Sequence, residues 1–66
     1  MKKINELSKE EIQVLFSDQN KSIFVLTEKI RHRRHSNITY KCLIFALKEK
    51  GIDTNEKELK FMLEGL

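Results

Sequence analysis

Asn37-Ile38-Thr39-Tyr40-Lys41-Cys42-Leu43-Ile44-Phe45-Ala46-Leu47-Lys48-Glu49-Lys50-Gly51 contains a six-residue run, Cys42 to Leu47, without a charged or hydroxyl-bearing side chain. A buried strand is the competing reading for so short an apolar run. Helix is favoured because Leu43, Ala46, Leu47 and Lys50 continue an i, i+3, i+4, i+7 ladder, and Lys48-Glu49-Lys50 extend it with good helix formers. Gly51 supplies the stop: at C′ it adopts the left-handed conformation, and Ile52 can fold back onto Leu47 as in a Schellman ending. A helix apolar on every side belongs in the middle of a fold. The expectation is therefore an all-α protein, a small bundle of three to four helices around a central buried helix at about 37–50.

Upstream, Ser8 and Glu11 form a Ser-x-x-Glu capping box, with Leu7 placed to staple onto Ile12. A helix is expected from Lys9 to about Ser17, ended by the polar cluster Asp18-Gln19-Asn20. Residues 1–7 read as a loose lead-in, with Ile4 and Leu7 available to pack. Ile23-Phe24-Val25-Leu26 has the β-branching of a strand but no evident strand partner. Ile23, Leu26 and Ile30 share a helical face instead, so residues 21–34 are read as a second helix. Ser36 and Asn37 offer caps for the central helix. Downstream of Gly51, Asn55 with Glu58, or Asp53 with Glu56, caps a last helix whose stripe is Leu59, Met62, Leu63 and Leu66.

Sixty-six residues, 39% of them hydrophobic, fit one domain with one core. A core of this size rarely nets more than roughly 3–5 kcal/mol, which makes a homodimer or docking on a partner a natural source of further stability. Cys42 is the single cysteine, so no internal disulfide forms. Inside the apolar run its thiol should be buried and slow to react, as suits a reducing, cytoplasmic setting. Met1-Lys2-Lys3 leads into no apolar signal region, and no run approaches the roughly 20 residues that span a bilayer. No membrane association is expected.

The charge is unevenly spread. Residues 1–20 carry three Lys and four acids, and residues 42–66 carry four Lys and five acids, so each part is −1. Residues 21–41 hold six Lys or Arg against Glu28 alone, +5 in a chain of net +3. Most of this excess lies in Lys29-Ile30-Arg31-His32-Arg33-Arg34-His35. Clustered cations bind phosphates by charge and counterion release, and Arg adds bidentate contacts. The candidate nucleic-acid-binding residues are Lys29, Arg31, His32, Arg33, Arg34 and His35, joined by Tyr40 and Lys41. The plainer reading is a solvated helix C-terminus whose cations meet the negative dipole end. An acidic protein surface is the other partner class that such an edge suits.

Several chemistries are disfavoured. His32 and His35, three apart, could face together on a helix. Two histidines without further ligands make a poor metal site, and no cofactor is implied. No paired carboxylates, Gly-rich phosphate loop or Ser/His/Asp set is recognisable, so an enzyme is not expected. The segment from Leu47 through Gly51 to Leu59 has helix-turn-helix spacing. Glu56, Glu58 and Glu64 outnumber Lys57 and Lys60 there, however, and an ordinary αα-hairpin owns that spacing more often. Phe61 falls off the last apolar stripe, roughly 200° from Leu59, and is either covered by a second element or a partner-binding anchor. The function expected is a small non-enzymatic regulator that binds nucleic acid through the 29–41 edge. The alternative is a module that binds and modulates another protein.

Overall fold

The first helix starts on its capping box. In the computed structural model, which describes residues 1–64, Ser8 is extended and its hydroxyl accepts the Glu11 N–H at 3.1 Å. The Glu11 carboxylate accepts the Ser8 N–H at 3.0 Å. That backbone bond, the Ser8 hydroxyl and the Lys2 ammonium together hold the Glu11 carboxyl below its ordinary range. From this start α1 runs over Lys9–Leu15 and buries Leu15. The polar cluster behind it is a tight turn. The Ser17 hydroxyl and the Asn20 side-chain amide both donate to the Val14 carbonyl, at 2.7 and 3.0 Å.

α2 spans Lys21–Arg31, a helix where β-branching alone suggests a strand. Ile23, Thr27 and Ile30 form its buried face at i, i+4, i+7. The Thr27 hydroxyl, inside the core, donates to the Ile23 carbonyl at 2.7 Å and so leaves no buried polar group unpaired. The helix ends three residues before the position expected from periodicity. Arg34 N–H donates to the Lys29 carbonyl at 2.8 Å and Arg33 N–H to the Ile30 carbonyl at 3.1 Å. These are the two bonds of a Schellman motif, with Arg33 at C′ in the left-handed region at φ 56°. Glycine normally holds that position, and its absence hid the stop.

α3, Asn37–Glu49, is the central helix. Thr39 serves its start: its hydroxyl accepts the Ser36 N–H at 3.2 Å. Its stop is the one the sequence implies, with Gly51 at φ 79° and its N–H bonded to the Lys48 carbonyl at 2.9 Å. Tyr40, Leu43 and Leu47 are buried and the helix touches α2 and α4. Burial is one-sided, however. Ile38 is 67% exposed, Phe45 63%, and Cys42 between them is also exposed. The apolar run was expected to be enclosed, and the thiol shielded; both expectations fail because the neighbouring elements cover only the Leu43/Leu47 side.

The amino-terminal segment is structured rather than loose. Lys2–Lys3 (β1) pairs in parallel with Ile52–Asp53 (β2), Lys2 opposite Ile52, and Lys2 N–H donates to the Gly51 carbonyl at 3.1 Å. A 3-10 turn at Ile4–Glu6 follows and drives Ile4 into the core at 1% exposure. The partner strand escaped sequence reading because two residues carry no period. α4, Glu56–Glu64, starts on Asn55, whose side-chain oxygen accepts the Glu58 N–H at 2.8 Å. Leu59 and Leu63 are buried and Met62 packs against the core; Leu66, the last position of the expected stripe, lies outside the described residues. The fold is all-α: among the described residues there are four helices, with α3 in contact with α2 and α4 and a two-residue parallel pair at one edge. No helix among the described residues is long and apolar enough to cross a membrane.

Leu47 is fully buried. Leu47→Ala should cost roughly 2–5 kcal/mol, comparable with what a small core supplies, and a chemical-denaturation curve will show whether it does. Cys42, being exposed, should be modified by a thiol reagent in the native protein nearly as fast as after denaturation; protection against the reagent would show its face of α3 to be covered.

Candidate nucleic-acid interface

The Schellman turn divides the basic run. Because the chain reverses at Arg33, alternate residues of 31–35 face different grooves. Arg31, Arg33 and His35 line a groove of about 730 Å³ together with Ile30, Tyr40, Lys60 and Leu63. Lys29, His32 and Arg34 line a second one of about 380 Å³ with Phe24, Val25 and Glu28. His32 and His35 therefore line different grooves, contrary to the helical spacing read from the sequence, because the helix ends at Arg31, before both. Among the described residues no three His, Cys, Asp or Glu side chains gather as metal ligands would.

The larger groove is built from two distant parts of the chain. Its floor is Ile30, Tyr40 and Leu63, all core residues. Tyr40 was expected on the binding surface; at 6% exposure it belongs to the core instead, because it lies on the same α3 face as Leu43 and Leu47. Its contribution is indirect. The His35 ring stands edge-on to it, with centroids 5.1 Å apart at 87°, and the Lys60 ammonium lies 5.5 Å from its ring centroid. The aromatic ring thus organises two cationic or protonatable groups, one from each side of the groove.

Lys60 escaped sequence analysis. It sits on α4 among acidic neighbours, and only the docking of α4 beside Tyr40 brings it to Arg31, Arg33 and His35. No local pattern carries that information.

Two carboxylates flank the site. Glu28 approaches Arg31 at 3.4 Å and His32 at 2.9 Å, and Glu56 approaches Lys60 at 3.7 Å. All three pairs are solvent-exposed and so weakly stabilising, which leaves Arg31 and Lys60 free to exchange a carboxylate for a ligand anion. Arg33 and Arg34 have no carboxylate within 4.0 Å among the described residues. The positive dipole end of α3 begins at Ser36, directly after the cations, and adds to the attraction for an anion.

Lys41 is exposed on α3 but lines neither groove. Phe61 is 84% exposed, so no second element among the described residues covers it. On α3 the exposed Ile38, Cys42 and Phe45 fall at i, i+4, i+7 and make one apolar stripe, separate from the buried face.

Arg33 in the left-handed region carries a conformational cost of roughly 1–2 kcal/mol relative to the right-handed form. Arg33→Gly should accordingly leave the fold as stable as the parent or raise its stability by about 1 kcal/mol, while removing a cation from the groove. Thermal and denaturant melts check this; a marked loss of stability would mean that the Arg33 side chain supports the corner. No protein family, curated protein or solved structure matches this chain, so its functional reading rests on this geometry.

Proposed function

We propose that this protein is a non-enzymatic, cytoplasmic nucleic-acid-binding regulator that holds its target by phosphate contacts at the α2–α3 corner. The observation that carries the reading is the convergence of Lys60 with Arg31, Arg33 and His35 around Tyr40. A solvated helix end accounts for cations that follow one another in sequence. It does not account for a fourth group arriving from another helix. Arg34, Lys29 and Lys41 are exposed outside the groove, and this additional positive charge favours a polymer over an isolated ion.

The same geometry limits how sequence is read. The Tyr40 ring is buried, so it offers no platform for base stacking. The exposed Ile38/Cys42/Phe45 stripe of α3 lacks the donors and acceptors that read base edges, which leaves only Asn37, Lys41, Lys48 and Glu49 exposed on that helix with such groups. Glu56 and the exposed Phe61 make α4 an equally poor recognition helix. Contacts of this kind position a protein on its target and carry little sequence information.

A second reading has its own observation. The Ile38/Cys42/Phe45 stripe and Phe61 are apolar surface that suits a protein partner or a second copy of the chain. In that case the cations serve an acidic protein surface, and binding survives nuclease treatment.

Replacing Arg31, Arg33, Arg34, Lys41 and Lys60 singly by Gln should weaken binding of DNA or RNA without loss of helix content. Each phosphate contact removed should flatten the log–log salt dependence by roughly 0.9 for duplex DNA or roughly 0.7 for a single strand. Fluorescence anisotropy at two salt concentrations measures this. Absence of binding to either form at low salt would overturn the nucleic-acid reading and leave the protein-interaction reading.

A further inference from the structure

We infer that the groove between the α2–α3 corner and α4 is a receptor for the terminal phosphate monoester of a nucleic-acid strand. This rests on the nucleic-acid reading above and specifies which part of the polymer enters the groove.

Three observations lead there. First, four basic side chains converge on one concavity, while Lys29, Arg34 and Lys41 lie outside it. Arg31, Arg33 and His35 come from the corner and Lys60 from α4, and they line one concavity of about 730 Å³. A continuing backbone needs cations laid out along a path, because its charge is spread along the strand. A concavity ringed on several sides suits an end.

Second, the groove walls carry Arg33, which has no carboxylate within 4.0 Å among the described residues, and Arg31 and Lys60, whose acidic partners reach the surface. A phosphate monoester brings about −1.5 to −2 charges and three terminal oxygens, where a backbone diester brings a single charge. Each cation therefore gains more from the monoester, and the Arg forks find more acceptors to pair with.

Third, the floor is apolar and closed. Ile30, Tyr40 and Leu63 are core residues, with His35 against the edge of Tyr40 and Lys60 near its ring. The buried Tyr40 ring offers no stacking face, so the basic side chains around this floor are the groups that engage the end of the strand.

The test uses labelled single strands of one sequence in three forms: 5′-phosphorylated, 3′-phosphorylated, or hydroxyl at both ends. One phosphorylated form should bind about tenfold tighter than the hydroxyl form, and which one does so identifies the end that is held. The double variant Arg33→Gly, Lys60→Met should abolish that ratio. Arg34→Gln with Lys41→Gln, outside the groove, should weaken all three forms while preserving it. Circular dichroism confirms that both variants remain folded. Equal affinity for all three forms overturns the inference while leaving phosphate-backbone binding intact. No binding of any form at low salt overturns both. A phosphoserine peptide that binds as tightly as the phosphorylated strand overturns the nucleic-acid source of the phosphate.

Discussion

Packing of Leu43 and Leu47 against α2, α4 and the Ile4/Ile52 edge is the constraint on which the remaining structure depends. Both leucines are fully buried, and they lie on one side of α3. A helix has roughly a 100° stripe with which to face a core, and this bundle supplies cover for about that much. Six successive apolar residues exceed what one stripe can bury. The surplus, Cys42 and Phe45, joins Ile38 on the opposite side as solvent-exposed apolar surface. One-sided packing also fixes Tyr40, which shares the buried face and thereby sets the floor of the basic groove.

The corner before α3 is a compromise between chain reversal and charge. Two Schellman bonds satisfy carbonyls at the end of α2, but they require a left-handed residue, and the residue present is Arg33. Its strain of roughly 1–2 kcal/mol is a substantial fraction of what a small core supplies. Glycine there would relax the backbone and delete a cation. An Arg retained under strain, beside three other groups that can carry positive charge, is consistent with a role in binding. The same turn separates His32 and Arg34 from Arg31, Arg33 and His35, so one sequence cluster supplies two surfaces.

The elements legible in the sequence were those written in local chemistry. The Ser8/Glu11 box, the Gly51 stop and the Asn55 cap each involve residues three or fewer positions from the groups they serve, and all three appear in the structure. What stayed hidden depended on tertiary placement or on an exception to a residue rule. β1 is two residues and has no period to detect. The end of α2 uses Arg where the rule specifies Gly. Cys42 was misplaced because an apolar run states composition, whereas burial depends on how many neighbours arrive. The site was legible as a basic segment but not as a groove: Lys60 joins only through the docking of α4, and Tyr40 supports the site from the core.

The two exposed surfaces of α3 impose different demands on partners. At its amino-terminal end the helix dipole and the preceding cations attract anions over distances of about a Debye length, ~8–10 Å at ordinary salt. Along its length the Ile38/Cys42/Phe45 stripe offers contact area with no long-range field. Electrostatic attraction governs how fast an anionic partner arrives, and apolar contact governs how slowly it leaves. The carboxylates of Glu28 and Glu56 moderate the first term, since any arriving anion has to displace them from Arg31 and Lys60. Exposed pairs are weak, so that competition is mild for a dianion and stronger for a singly charged group.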